Sequence, residues 1–222
     1  MHASKGSPLV NEYESEGKRA VWLFLDASPS LKTGTLTENM FDCAIRAANA
    51  TIRYFTERGY RVGMYIYNDE EKMFYPASGR RQHRKLLREL IDLEVSSKPW
   101  EGLEAAAEEC KGYLMRYKPY TVVITTLSKS SSKDIFNGFK KIHKLISRRR
   151  STKTGSVLLV NILPHHLNPT PPSTYKDFAG QLYSMEQSSI ERRLRGMGAS
   201  VVGWDPVKES FSKTLLQQEG KK

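Results

Sequence analysis

The feature that most constrains the fold of this chain is a short apolar segment that ends in a carboxylate. Residues Ala20–Asp26 read Ala-Val-Trp-Leu-Phe-Leu-Asp, and the loop that follows reads Asp26-Ala-Ser-Pro-Ser30. A run this short cannot cross a membrane and is typical of a strand that is buried on both faces of a sheet. Open α/β sheets bind their ligands outside the carboxyl ends of such strands. The loop therefore lies where a binding site is expected.

The loop carries three oxygen side chains, those of Asp26, Ser28 and Ser30, in a D-x-S-x-S pattern. Hard cations such as Mg²⁺ are bound by oxygen clusters of this kind, so the pattern indicates a candidate metal site. The same side chains can instead cap the amides of their own loop, as Asp and Ser often do. Both interpretations remain open from the residues alone.

Strand and helix patterns alternate along the rest of the chain, which predicts an α/β domain with a mostly parallel sheet and helices on both faces. The segment Lys72–Pro76 is predicted as a short antiparallel strand at an edge of the sheet. The other strands are predicted at 19–26, Tyr60–Tyr67, Tyr120–Thr126, Ser156–Leu163 and Ala199–Trp204. Helices are predicted at Asn39–Arg58, Arg80–Leu93, Trp100–Tyr117, Ile135–Arg150, Tyr175–Gly196 and in a last segment that ends near Gln218. Residues 1–18 are predicted as an extended lead-in, and residues 19–218 as one domain.

A first strand that ends in D-x-S-x-S, within an alternating α/β chain, resembles the von Willebrand factor A (VWA) fold. Further likeness lies in the segments Leu9–Glu16, Arg19–Ser30, Tyr60–Met64 and Gly198–Pro206. With these segments, essentially the whole chain resembles the domain-of-unknown-function family fifty-eight. The resemblance implies a Rossmann-like, three-layer VWA sandwich that acts as a non-enzymatic protein-interaction domain, because no enzymatic activity is established for that family.

The resemblance also implies a metal-ion-dependent adhesion site in the loop. In VWA domains the Asp and two Ser are joined by a Thr from a second loop and an Asp after the fourth strand. A partner's carboxylate often completes the shell of the divalent ion. Here the resemblance assigns Asp26, Ser28 and Ser30 to the site and implies Mg²⁺ or Mn²⁺ as its ion.

Two positions depart from the pattern of that metal site. The Thr is expected just before the helix that contains Leu103, yet the segment Lys98–Leu103 has neither Thr nor Ser. The second Asp is expected just past Thr126, where Leu127 stands, and leucine cannot ligate a cation. The implied site is therefore degenerate. Its auxiliary candidate ligands are Glu101, Thr126 and Ser128.

Members of the resembled family usually carry two membrane helices and a small β-rich region before the VWA domain. His2-Ala3-Ser4 resembles the end of the motif that joins these parts. The resemblance therefore implies a truncated or divergent short member, whose full-length form is anchored in the membrane with this domain on the cytoplasmic side. Many members are encoded beside AAA+ ATPases of the MoxR type, which implies such an ATPase as a partner.

The chain carries a formal net charge of +11, and its basic residues concentrate in two of the predicted helices. Such a surface suits an anionic partner, either a membrane leaflet in the family's context or nucleic acid. Two solvated helix faces are the alternative explanation. The residues concerned are Arg80, Arg81 and Arg84 in one helix, and Lys140, Lys141, Lys144, Arg148, Arg149 and Arg150 in the other helix and its exit.

A basic nucleic-acid-binding α/β protein is the main alternative function. It ranks below the interaction domain because the sequence has no strand face studded with aromatic residues and no recognised reading motif. Several enzyme classes lack support in the sequence. The chain has no G-x-x-x-x-G-K phosphate loop, no Cys/His spacing for zinc and no G-x-S-x-G nucleophile elbow.

Overall fold

The computed structural model describes residues 20–34, 39–67, 72–95, 102–147, 157–163, 174–206 and 208–219. The predicted lead-in, residues 1–18, lies outside them. The strands within these ranges are β1 (Ala20–Asp26), β2 (Arg61–Tyr67), β3 (Lys72–Ala77), β4 (Tyr120–Thr125), β5 (Val157–Ile162) and β6 (Ser200–Trp204). The helices are α1 (Met40–Glu57), α2 (Gly79–Ile91), α3 (Leu103–Glu109), α4 (Lys111–Tyr117), α5 (Lys129–Ile146), α6 (Thr174–Gly196) and α7 (Phe211–Glu219).

The strands form a single sheet in the order β3-β2-β1-β4-β5-β6. Every neighbouring pair is parallel except β2 and β3, which are antiparallel. This arrangement confirms the mostly parallel sheet and the antiparallel edge strand predicted from the sequence. It also places β1 between two parallel neighbours, which accounts for the uninterrupted apolar run of its sequence.

Side chains of β1 alternate between two hydrophobic cores, one on each face of the sheet. Val21, Leu23 and Leu25 face a core shared with α1, α2 and α7. Trp22 and Phe24 face a second core, shared with α3, α4, α5 and α6. Because a strand directs successive side chains to opposite faces, one buried strand stabilises both helix layers at once. The result is the three-layer sandwich expected of a VWA-like fold.

The helices differ from the prediction at two places. The predicted helix Trp100–Tyr117 is divided in the structure, because Cys110 has φ −82° and ψ 2° and separates α3 from α4. Helix α5 begins at Lys129 rather than Ile135, because Ser128 and Ser131 form a reciprocal capping box that starts the helix earlier. It ends at Ile146 rather than Arg150, because Ser147 has extended backbone, with φ −61° and ψ 131°. None of the described helices has both the length and the apolar character needed to span a bilayer.

Candidate functional site

The loop after β1 lies at the centre of the carboxyl edge of the sheet. Asp26 is the last residue of β1 and pairs with Tyr67 at the end of β2. The chain then turns through Ser28 into a 3₁₀ helix, Pro29–Lys32, whose buried Leu31 packs into the first core. Proline suits the start of such a turn, since its fixed φ is already helical and the missing N–H is not needed there. The apolar anchor of Leu31 thus holds a polar loop against the sheet.

The three predicted ligands lie together in this loop. The Ser28 backbone N–H donates to Asp26 Oδ1 over 2.8 Å, and the Ser28 and Ser30 hydroxyl oxygens are 2.6 Å apart. Asp26 and Ser28 are only 2% and 3% exposed, whereas Ser30 is exposed. The capping role considered for Asp26 is therefore present, and the Ser28–Ser30 pair forms the open side of the cluster.

A residue outside the D-x-S-x-S pattern holds the other oxygen of Asp26. Thr125, the last residue of β4, donates its hydroxyl hydrogen to Asp26 Oδ2 over 2.6 Å. The register of β1 and β4 pairs Leu25 with Ile124, so Thr125 is the next residue along the strand beside Asp26. The signal that could have identified Thr125 is this strand adjacency, which requires knowledge of the strand order as well as the motif.

Burial dominates the electrostatics of the loop. It raises the pKa of the Asp26 carboxyl above its ordinary value of 3.8, against the opposing effect of the hydrogen bonds from Thr125 and Ser28. The negative charge of Asp134 adds to the increase. Burial likewise raises the pKa of the Tyr67 phenol well above its ordinary value of 10.0. The loop therefore disfavours an uncompensated negative charge and would gain from a nearby cation.

Asp134 is the second carboxylate near the loop, and the sequence analysis did not select it. It extends from α5 to the start of α3, where Oδ2 accepts from the Leu103 N–H over 2.8 Å and Oδ1 from the Glu104 N–H over 3.1 Å. A side chain on Gly102 would collide with this carboxylate, since a Cβ there would lie 2.2 Å from its Cγ. Asp134 thus occupies the region just before Leu103, where the resemblance expects the Thr of the adhesion site.

Two of the three auxiliary candidate ligands make other hydrogen bonds, and the third lies outside the described residues. The Thr126 hydroxyl donates to the Ile162 carbonyl oxygen over 3.4 Å. Ser128 caps α5, with its Oγ accepting from the Ser131 N–H over 3.3 Å. Glu101 lies outside the described residues.

Leu127 stands at the position where the resemblance expects an Asp. Hydrogen bonds fix its backbone, and its side chain is buried. Its N–H donates to Asn161 Oδ1 over 3.0 Å, and its carbonyl oxygen accepts from Gln187 Nε2 over 3.1 Å. The side chain is fully buried in the second core. This position therefore serves packing, and it offers no ligand to a cation.

The donor set fits part of the shell of Mg²⁺ or Mn²⁺. Ligands at neighbouring corners of an octahedron with bonds of about 2.1 Å are about 3 Å apart, close to the Ser28–Ser30 separation of 2.6 Å. Within the described ranges, no three His, Cys, Asp or Glu side chains come together as a metal site. The loop therefore offers one carboxylate and two hydroxyls, and the remaining ligands would have to be water or groups from a partner.

The described residues of the two predicted basic clusters lie on opposite faces of the sheet. Arg80, Arg81 and Arg84 are exposed on α2, whose Leu86 and Leu90 pack in the first core. Helix α5, which carries Lys140, Lys141 and Lys144, packs in the second core, and Lys141 Nζ lies 2.9 Å from Glu108 Oε2. Arg148, Arg149 and Arg150 lie outside the described residues. The structure therefore does not bring the two clusters together.

Residues 1–151 match the family model described as "Protein of unknown function DUF58". The match spans more than half of the 222 residues. The chain belongs to the DUF58 family. This membership confirms the family resemblance noted in the sequence. No curated protein matches this DUF58 chain.

Solved structures similar to the DUF58 chain are VWA-like. The SpRpn10 VWA domain has a TM-score of 0.54 at 12% identity, with 90% of this chain and 94% of that chain covered. The conserved hypothetical protein BatB from Bacteroides thetaiotaomicron has a TM-score of 0.53 at 14% identity, with 91% and 98% covered. An aerotolerance-related membrane protein from Bacteroides fragilis NCTC 9343, solved with multiple mutations to serines, has a TM-score of 0.51 at 13% identity, with 92% and 100% covered. At these identities the likeness establishes the VWA-like fold.

Proposed function

We propose that this DUF58 protein is a non-enzymatic protein-interaction domain that contacts its partner through the carboxyl edge of its sheet. The observation that carries the proposal is the hydroxyl pair of Ser28 and Ser30 at 2.6 Å, next to the buried carboxylate of Asp26. Pro29 and Ser30 are exposed beside this buried carboxylate, so the loop presents a small polar surface fixed by a rigid strand end. The partner group that fits it is an acidic side chain.

Asp26, Ser28 and Ser30 are the residues that would hold Mg²⁺ or Mn²⁺ in this degenerate adhesion site. When bound, the ion supplies positive charge and an open coordination position for a partner carboxylate. The chain's own residues orient the loop. Thr125 and the Ser28 N–H fix both oxygens of Asp26, and Leu31 anchors the turn in the core. Preorganisation of this kind lowers the entropy lost when a partner binds.

Titration calorimetry with MgCl₂ and MnCl₂ tests whether the loop binds a divalent cation. Partner binding measured with and without EDTA tests whether the contact depends on that cation. Ser30→Ala removes an exposed hydroxyl and is expected to weaken partner binding about threefold to tenfold, as one hydrogen bond would. Asp26→Ala should abolish the heat of metal binding. Glu94→Ala, at an exposed position after α2, is the control and should bind normally. Unchanged partner binding in both loop variants would overturn the proposal.

We further propose that the partner is a MoxR-type AAA+ ATPase and that the full-length protein is anchored in the membrane, with this domain on the cytoplasmic side. Two considerations support this proposal. The family resemblance implies both features, and a structure with a similar fold is described as an aerotolerance-related membrane protein. The test is to mix the chain with the MoxR-type ATPase encoded nearest to its gene and to measure binding of wild type and Ser30→Ala. The sequence encoded ahead of Met1 tests the anchor.

The alternative function, binding of nucleic acid, is favoured by the exposed row of Arg80, Arg81 and Arg84 on α2. Phosphate contacts from such a row would give binding that falls steeply as salt rises. Titration of arbitrary duplex DNA at several salt concentrations separates the two functions. Tight, salt-sensitive binding that Arg81→Gln weakens and Ser30→Ala leaves unchanged would favour the alternative.

A further inference from the structure

A concave site lies at the end of the sheet opposite to Asp26, where β1 and β2 begin. An open cavity of ≈ 480 Å³ is bordered by Arg61 at the start of β2, by Tyr75 and Pro76 of β3, and by residues of α4. Arg61 pairs with Ala20, the first residue of β1, whereas Asp26 is the last. Six residues of extended strand separate the two ends by about 20 Å. The cavity is therefore distinct from the loop of the proposed interaction site.

Three aromatic rings in contact, each tilted against the next, run from the core of the protein to this cavity. The Trp22 and Tyr113 ring centroids are 4.5 Å apart at an interplanar angle of 30°, and those of Tyr113 and Tyr117 are 4.6 Å apart at 31°. Trp22 is fully buried, while Tyr117 is 42% exposed and Tyr75 is 69% exposed. The cavity thus offers large aromatic surfaces held rigidly from below, which suits a flat ring in the ligand.

Two guanidinium groups border the same cavity. The Arg61 and Arg116 Cζ atoms lie 5.9 Å and 5.3 Å from the centre of the Tyr117 ring. No carboxylate of the described residues forms an ion pair with either group. Among the described residues, the cavity lining contains no acidic residue. The charge that these residues give the cavity is therefore positive, which favours an anionic ligand.

The buried donors at this site lack acceptors. Among the described residues, the buried side-chain polar atoms without a hydrogen-bond partner are Arg61 Nε and Trp22 Nε1. Arg61 borders the cavity, and Trp22 is the ring directly beneath Tyr113. Buried donors are normally satisfied in proteins, so two at one place call for an explanation. A ligand rich in acceptors would satisfy Arg61, because a guanidinium can hold an oxyanion with two hydrogen bonds along its Nε–Nη edge.

We propose that this cavity binds a phosphate monoester carried on an aromatic or nucleobase ring. The phosphate group carries a charge of about −1.5 to −2 near neutral pH, which matches two guanidinium groups better than a single carboxylate does. In this arrangement the ring lies against Tyr117 and Tyr75, and the guanidinium groups of Arg61 and Arg116 receive the phosphate oxygens. A volume of ≈ 480 Å³ lies within the range of pockets for small molecules.

The phenol of Tyr113 supports this assignment. Burial raises the pKa of Tyr113 to about 12, against the opposing charge of Arg61, so the hydroxyl keeps its hydrogen near neutral pH. A protonated phenol in the cavity lining adds a donor and no negative charge. The site is therefore equipped to receive oxyanion acceptors.

Calorimetry on the full chain with adenosine monophosphate, phenyl phosphate and inorganic phosphate tests the proposal. Both aromatic phosphates are expected to bind with a Kd below 1 mM, and inorganic phosphate at least tenfold more weakly. A tighter Kd for adenosine monophosphate identifies a nucleotide as the ligand, and a tighter Kd for phenyl phosphate identifies a phosphoaryl group. Arg116→Gln should weaken both about tenfold to hundredfold, as loss of one charged hydrogen bond would. Arg116 is exposed, so this variant keeps its fold.

Two further variants complete the test. Tyr117→Ala should bring the affinity for phenyl phosphate down to that for inorganic phosphate. Arg192→Gln removes the same charge from an exposed position on α6. This helix contacts β6, the edge strand at the far side of the sheet from β3, so the variant should leave binding unchanged. Equal loss in Arg192→Gln and Arg116→Gln would overturn the proposal. So would equal affinity for inorganic and aromatic phosphates, or binding of single-stranded oligonucleotides without binding of the monophosphate.

Discussion

Among single residues, Asp26 has a chemical state that the fold constrains. Its carboxyl is 2% exposed, accepts from the Ser28 N–H and the Thr125 hydroxyl, and has a pKa raised by burial. The folded state therefore holds this proton more tightly than the unfolded state does. It follows that the contribution of Asp26 to the free energy of unfolding decreases as pH rises from 3.8 through the folded-state pKa.

The variant Asp26→Asn tests the direction of this pH dependence. Its amide oxygen can accept from the Ser28 N–H, and its amide NH₂ can donate to Thr125 Oγ1, so both contacts have a replacement. We expect the variant to gain stability relative to wild type as pH rises from 3.8 through the folded-state pKa of Asp26, because only wild type has a carboxyl group that titrates at this position. Urea denaturation at several pH values measures the difference. A difference between the variant and wild type that does not change with pH would contradict the assignment to Asp26.

On the level of secondary-structure elements, the contact between α3 and α5 positions the segment beside the site. Asp134 and Gly138 are four residues apart on α5 and so lie on the same face, toward α3. Asp134 caps the start of α3, and a Cβ on Gly138 would lie 2.8 Å from the Leu103 carbonyl carbon. The helices approach so closely that the backbone of α3 has no room for a side chain at position 138.

Gly138→Ala is therefore expected to lower the free energy of unfolding by about 1–3 kcal/mol, as overpacking of a core contact does. Gly112→Ala is the matched control, because a Cβ at that position of α4 meets nothing within 4 Å. Alanine is the better helix former, so the control should gain about 0.5–1 kcal/mol. Urea denaturation of both variants measures the contrast. A Gly138→Ala protein as stable as wild type would show that the helices are less tightly packed.

The same helix pair shows why part of the site could be predicted from sequence and part could not. The strand Ala20–Asp26 and its polar loop are one continuous segment, so local pattern located Asp26, Ser28 and Ser30 and the structure places them together. Asp134 reaches α3 from 30 residues further along the chain, and that contact depends on how two helices pack. The start of α5 at Lys129 depends on a capping box among consecutive serines, which the apolar spacing from Ile135 onward does not reveal.

For the molecule as a whole, the distribution of charge matters more than its net value of +11. The basic rows of α2 and α5 lie in different helix layers, so the sheet separates them. A flat anionic surface can contact one layer at a time. The α2 row is the stronger candidate, because Arg80, Arg81 and Arg84 are exposed, whereas Lys141 on α5 already pairs with Glu108. Only one face should therefore account for binding to a membrane surface.

Neutralising each row in turn tests this asymmetry. The triple variant R80Q/R81Q/R84Q should weaken binding to phosphatidylserine vesicles by roughly 100-fold, at about 1 kcal/mol for each charge near the surface. The matched triple K140Q/K141Q/K144Q removes the same charge from the other layer and should change binding little. Cosedimentation with vesicles at two salt concentrations measures both variants, since surface attraction weakens as salt rises. Equal losses in the two triples would contradict a single membrane-facing layer, because they would show that net charge alone, wherever it lies on the molecule, determines the attraction.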